Sequence, residues 1–214
     1  MSSDVTVPLN GLALKAETGY YIFTGHAVPL RVLRDLALEP VGPFYRFVLT
    51  YLVASAGLTP VYDATHYPTF MRDVGGRFPG TVKGDLQANL AECVASARDG
   101  ETLPQLEAEK ALCCMLANAA YESVNEAHRV TLKGDPVFEL FRHVRHAASH
   151  GNTWYFFPKE PSAHAEWHGI AIDETRKGDE NPLQGKPCFY GTIQPADLLY
   201  LLQDVEDLLK ALEP

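Results

Sequence analysis

The stretch Asp135-Pro136-Val137-Phe138-Glu139-Leu140-Phe141-Arg142-His143-Val144-Arg145-His146-Ala147-Ala148-Ser149-His150-Gly151-Asn152 reads as one helix with a marked beginning and end. Asp135 can accept hydrogen bonds from the first free N–H groups, and Pro136 suits the first helical position, where no intrahelical donor is needed. Gly151 is expected to close the helix, because glycine enters the left-handed region without penalty. At about 100° per residue, Val137, Leu140, Phe141, Val144, Ala147 and Ala148 gather within roughly 120°. Arg142, Arg145, His146, Ser149 and His150 gather within roughly 140° on the other side. The first arc predicts a core face, with Phe141, Val144 and Ala148 buried; the second predicts a cationic, titratable stripe, with Arg145 partly exposed.

Outward from this helix, the chain reads as mainly α: a helical bundle with a small β element inserted before the C-terminal helix. Residues 1–25 form an irregular or short-strand lead-in containing Tyr20-Tyr21-Ile22-Phe23. Helices are expected over 29–38, 44–55, 84–98 and 104–130, with a long connection over 57–83 that holds a helical turn at 69–73. After Asn152 the periodicity changes. Short strands are expected at 153–157, 166–172 and 187–193, with a polar loop at 174–186. Pro195-Ala196-Asp197 then opens a closing helix whose apolar face carries Leu198, Leu199, Leu202, Val205, Leu208 and Leu209. The expected organisation is one domain over 1–214, made of a bundle at 26–150, a β-rich insertion at 153–193 and a closing helix at 195–212.

A hydrophobic fraction of 46% with 21% charged residues is that of a globular protein and excludes a disordered tail. With 18 Lys and Arg against 27 Asp and Glu, the net charge is −9. That balance gives no general attraction to nucleic acid, so any such contact needs a local basic patch. The four cysteines, Cys93, Cys113, Cys114 and Cys188, form no Cys-x-x-Cys pair and read as buried reduced thiols. No signal peptide and no membrane span are expected, and the expected compartment is the cytoplasm.

Five of the eight histidines lie between His143 and His168. On the helix, Arg142 and His146, Arg145 and Ser149, and His146 and His150 are each four apart and within mutual reach. Such a stripe suits metal-free phosphodiester cleavage. An imidazole near neutrality can take the 2′-hydroxyl proton of RNA or protonate the departing 5′-oxygen. A guanidinium can hold the phosphate and its growing charge. One helix supplies few such groups, so a symmetric dimer would make a fuller site. Two plainer readings compete. Basic residues near a helix C-terminus are favoured by the macrodipole, which accounts for the charge but not for the surplus of histidine. Metal ligation by His146 and His150 or by His164 and His168 has the spacing of zinc sites. Yet no cysteine or carboxylate motif joins these pairs. His164 and His168 also lie in a strand-like stretch, where residues four apart stand about 13 Å apart. No metal and no cofactor are expected.

The segment Arg145-His146-Ala147-Ala148-Ser149-His150 resembles the Arg-x4–6-His signature of HEPN-domain proteins (higher eukaryotes and prokaryotes nucleotide-binding). His146 matches the polar residue that follows the arginine in that family. The ending Ser149-His150-Gly151-Asn152 is similar to the family's frequent Ala-His-Gly-Asn. The stretch from Trp167-His168-Gly169 through Gly185-Lys186-Pro187 to Asp204 also looks like the region after the motif in some members; the first 100 residues show no such likeness. The resemblance implies a helical bundle that dimerises with both motifs lining one cleft. It also implies a metal-independent endoribonuclease, often a toxin or phage-defence effector held by an antitoxin protein. Other members have lost activity and serve as nucleotide-binding or dimerisation modules. On this likeness Arg145 clamps the scissile phosphate, His150 is the acid or base and His146 orients the site. Arg142, Ser149 and Asn152 add substrate contacts, and an acidic residue on an earlier helix, among Glu109, Glu122 and Glu126, points at the site.

Overall fold

Five helices carry the architecture of the described residues: α1 (Tyr45–Tyr62), α2 (Gln105–Ser123), α3 (Glu126–Thr131), α4 (Pro136–Ser149) and α5 (Pro195–Lys210). The computed structural model describes residues 12–13, 20–23, 26–29, 37–38, 42–62, 75–78, 86–89 and 105–213. The described residues also form eight short strands, β1 (Leu12–Ala13), β2 (Tyr20–Phe23), β3 (His26–Pro29), β4 (Ala37–Leu38), β5 (Gly75–Phe78), β6 (Leu86–Asn89), β7 (Ala165–Trp167) and β8 (Ile170–Ile172). They pair two by two and antiparallel, as β1–β4, β2–β3, β5–β6 and β7–β8. The fold is therefore mainly α with small β elements. The chain divides into two compact units: Met1–Gly19 with Leu30–Tyr51 and Lys110–Pro214, and Tyr20–Pro29 with Leu52–Glu109.

The first unit is organised around α4. The Asp135 carboxylate accepts from the N–H groups of Val137 and Phe138, both at 3.0 Å, and Pro136 occupies the first turn. Such a cap contributes about 1 kcal/mol. At the far end the His150 N–H reaches the carbonyls of His146 and Ala147, and Gly151 follows with φ +67°. Leu140, Phe141, Val144, Ala147 and Ala148 are buried, as the apolar arc requires; Val137 of that arc is half-buried, and Phe138, outside it, is buried. Phe44, Tyr121, Phe138 and Phe141 form one aromatic cluster with centroids 5.5–6.1 Å apart. Glu139 and His143 are buried as well. The helix is covered on a second flank, by β7 and by the segment after Asn152, which the wheel alone does not foresee.

Helix α5 packs on α4 through an apolar stripe of Leu198, Leu201, Leu202, Val205 and Leu209. Its start is fixed by Pro195 and by the Gln194 N–H donating to Asp197 at 2.8 Å. Among the described thiols Cys113 and Cys188 are buried and Cys114 is half-buried, and none of the three is in a disulfide.

Several expected elements take another form. The expected helix at 104–130 stops at Ser123. The Asn125 side chain then accepts from the N–H groups of Ala127 and His128 and starts a separate helix, α3. An Asx cap inside a helical run competes with the backbone's own ladder. Leu106, in the first turn of α2, is exposed. Helix α1 begins at Tyr45 and continues to Tyr62, past the expected end at 55.

In the β-rich segment the expected strand 166–172 is a hairpin. His168 (φ +46°) and Gly169 (φ +83°) make the turn between β7 and β8. Two successive positive φ values are what a tight type I′ hairpin requires. Around 153–157 the pairing reduces to a Thr153–Pro187 bridge and two Trp154 backbone bonds to the 185–186 peptide region. The expected strand 187–193 is a tight turn, with the Thr192 and Ile193 N–H groups both donating to the Cys188 carbonyl.

In the second unit Tyr20–Phe23 is a strand as the sequence suggests, and its partner His26–Pro29 pairs Tyr20 with Pro29 and Phe23 with His26. Leu86–Asn89, expected within a helix at 84–98, is instead a strand paired with Gly75–Phe78. Ala37–Leu38, in the first unit, was likewise expected to close a helix and pairs with Leu12–Ala13. Short segments of this kind take the form their partner strand imposes, against weak local preference. The expected turn at 69–73 and Cys93 lie outside the described residues.

Candidate active site

The stripe on α4 divides into two neighbourhoods. His146 and His150 meet directly, with their Nε2 atoms 2.9 Å apart and ring centroids 4.6 Å apart. Arg145 and Ser149 turn instead toward α2. Arg145 Nη2 donates to Glu122 Oε1 at 2.6 Å, and its guanidinium lies 5.4 Å from the centre of the Tyr121 ring. Ser149 Oγ donates to Asn118 Oδ1 at 2.6 Å. Of the three acidic candidates on earlier elements, Glu122 is the one that reaches the arginine. Glu126 pairs with Arg129, and Glu109 belongs to the other unit.

His146 is backed by Glu160. Its Nδ1 lies 3.8 Å from Glu160 Oε2, an oxygen that is buried and makes no hydrogen bond. The other oxygen, Oε1, accepts from Arg142 Nη1 at 2.8 Å. Glu160 is held by its backbone as well: its N–H donates to the Phe157 carbonyl, and its carbonyl accepts from the Gly178 N–H. Gly178 is required there, since it has φ +50° and a Cβ would stand 3.1 Å from Pro158 Cα. Burial lowers the pKa of His146, and the neighbouring His150 lowers it further, against the opposite pull of Glu160. The imidazole is therefore neutral near pH 7. Of the two Nε2 atoms one donates and the other accepts, and the tautomer in which His150 Nε2 donates keeps a lone pair on His150 Nδ1.

Arg142 is committed inside the protein. Besides Glu160 it donates to Glu139 through Nε at 2.8 Å. Burial opposes its charge, but the two carboxylates outweigh burial and raise its pKa. Its Nη2 also lies 3.0 Å from His143 Nε2, which must be the acceptor because a guanidinium only donates. Buried against Phe156, with Arg142 and His146 beside it, His143 is held neutral with its pKa lowered to about 3.

Asn152, expected to contact substrate, sits at φ +65° and spends both ends of its amide on one residue. Its Oδ1 accepts from the Phe189 N–H at 2.6 Å, and its Nδ2 donates to the Phe189 carbonyl at 3.0 Å. It anchors the chain leaving the helix. His164 and His168 do not share a ligand: His164 contacts Glu166 and Glu174, and His168 faces Asp204.

Sequence reasoning missed Glu160, Tyr155 and Phe157. His150 stacks on Tyr155 at 4.5 Å and 20°, and His146 lies 5.2 Å from the Phe157 ring centre. The signal was present in the alternation that follows the helix. Trp154 and Phe156 are buried while Tyr155 and Phe157 are exposed, the period of two of an extended chain. Comparison with protein-family models, curated proteins and solved structures finds no match for the chain. No helix among the described residues is long and apolar enough to cross a membrane.

Proposed function

We propose that the chain is a metal-independent endoribonuclease of the HEPN type, in which His150 moves the proton and Arg145 holds the scissile phosphate. The observation that carries this reading is the His146–His150 pair at the end of α4, with its 2.9 Å contact and the Glu160 carboxylate behind it. An imidazole whose partner fixes its tautomer is a ready proton acceptor near neutral pH. His150 Nδ1 takes the proton of a ribose 2′-hydroxyl, and the 2′-oxygen forms a bond to the adjacent phosphorus. The bond from phosphorus to the 5′-oxygen breaks, and that oxygen leaves with a proton. The products are a 2′,3′-cyclic phosphate and a 5′-hydroxyl.

Arg145 enters from the other flank of the same helical turn and offsets the charge that grows on the phosphate. The helix C-terminus favours cations and disfavours anions, so a phosphate there depends on such a side chain. A second copy facing this one supplies the acid for the departing oxygen, which makes a homodimer part of the proposal. So is a restraining antitoxin protein, since a free ribonuclease damages its own cell.

One observation favours a second reading, an inactive HEPN-like nucleotide-binding or dimerisation module. Each arginine of the segment already faces a carboxylate, Arg142 two of them and Arg145 one. The two readings separate when purified protein is incubated with single-stranded RNA, with and without chelator. Equal cleavage in both is expected. Cleavage that stops in chelator removes the proposed chemistry, and RNA bound but never cut supports the binding module.

A further inference from the structure

We propose that Tyr155 and Phe157 form a stacking platform for an unpaired nucleobase, which makes single-stranded RNA the substrate class of this site. This rests on the ribonuclease reading above. Phe157 is 49% exposed and Tyr155 38%, although both are large aromatic rings that alternate with the buried Trp154 and Phe156. They hold each other edge to face, with centroids 5.4 Å apart and planes at 87°. Their surface continues into the imidazoles of His150 and His146. Tyr155 and His146 thus flank His150, the group that takes the proton, and Phe157 packs against both of them. A base stacked on the free face of Phe157 or Tyr155 brings its own ribose and phosphate to the histidine pair.

Charge decides between single strand and duplex. Duplex binding relies on phosphate neutralisation, and an A-form helix hides its base faces. Here Arg142 is matched by Glu139 and Glu160, Arg145 is matched by Glu122, and the whole chain carries −9. Stacking on aromatic side chains needs an unpaired base but little net charge, and it tolerates any sequence. The site is poorly equipped for the first mode and well equipped for the second.

The test is fluorescence anisotropy with a short labelled oligonucleotide of 2′-O-methyl ribose, which cannot be cleaved, and with its duplex. Wild-type protein is expected to bind the single strand at least about tenfold more tightly than the duplex, with a shallow dependence on salt. Phe157→Ala should weaken single-strand binding about tenfold, and Phe157→Tyr should restore it, because the ring face is what binds. Unchanged single-strand affinity in Phe157→Ala, or equal affinity for duplex, overturns the platform even if the wild type still cuts RNA. Light scattering that shows Phe157→Ala dissociating a dimer, with RNA binding intact, overturns it too and makes the rings a protein interface. A wild type that neither binds nor cuts single strands removes the platform together with the ribonuclease reading.

Discussion

His150→Ala is expected to lower RNA cleavage by on the order of 10²–10⁴-fold, the usual loss when a positioned proton-transfer group is removed. Arg145→Ala is expected to lose roughly 10²–10³-fold, by analogy with removal of one donor that stabilises transition-state charge. Both losses should appear in kcat, because the proton transfer and the charge arise during the reaction rather than on binding. Neither change should unfold the protein. His150 is exposed at the helix end, and the ion pair of Arg145 with the exposed Glu122 is of a kind worth about 0–1 kcal/mol. Rates on a single RNA substrate and melting temperatures for the three proteins check this. A variant that melts far below wild type would make its residue structural rather than catalytic.

Acid should destabilise the fold through His143. In the folded chain this buried imidazole protonates only near pH 3, whereas an exposed histidine does so near 6.5. Between those values the unfolded chain binds a proton that the folded chain refuses. Stability from this residue is therefore complete above about pH 6.5 and is lost at about 1.4 kcal/mol per pH unit below it, roughly 3 kcal/mol by pH 4. His143→Phe keeps a ring against Phe156 and removes the titration. Urea unfolding of wild type and variant at pH 7 and pH 4 should show a smaller acid loss in the variant. Equal losses in both would mean that His143 is not held neutral by the fold.

The parts of the chain that could be read in advance are those whose signals are local. Asp135 and Pro136 start α4 because a carboxylate acceptor and a residue lacking an N–H suit the first turn wherever it occurs. Phe141, Val144 and Ala148 are buried because their spacing puts them on one arc. The wheel also placed Arg145, His146 and His150 on one side, but an angle does not say what each flank meets. Glu122 lies 23 residues before Arg145, and it draws the guanidinium toward α2. Glu160 lies 18 residues beyond Arg142 and backs His146 from the other side. Those partners come from tertiary packing, so the division of the stripe could not be foreseen. Leu86–Asn89 shows the same effect on the backbone: alone it reads as helix, but pairing with Gly75–Phe78 makes it a strand.

The α4 histidine pair is proposed to cut RNA by using the substrate's own 2′-hydroxyl. Mass spectrometry of the fragments formed in chelator tests it most directly. A 2′,3′-cyclic phosphate is expected on one fragment and a 5′-hydroxyl on the other, with both absent when His150 is alanine. Fragments ending in 5′-phosphate and 3′-hydroxyl, or the same products at an undiminished rate from His150→Ala, would contradict it.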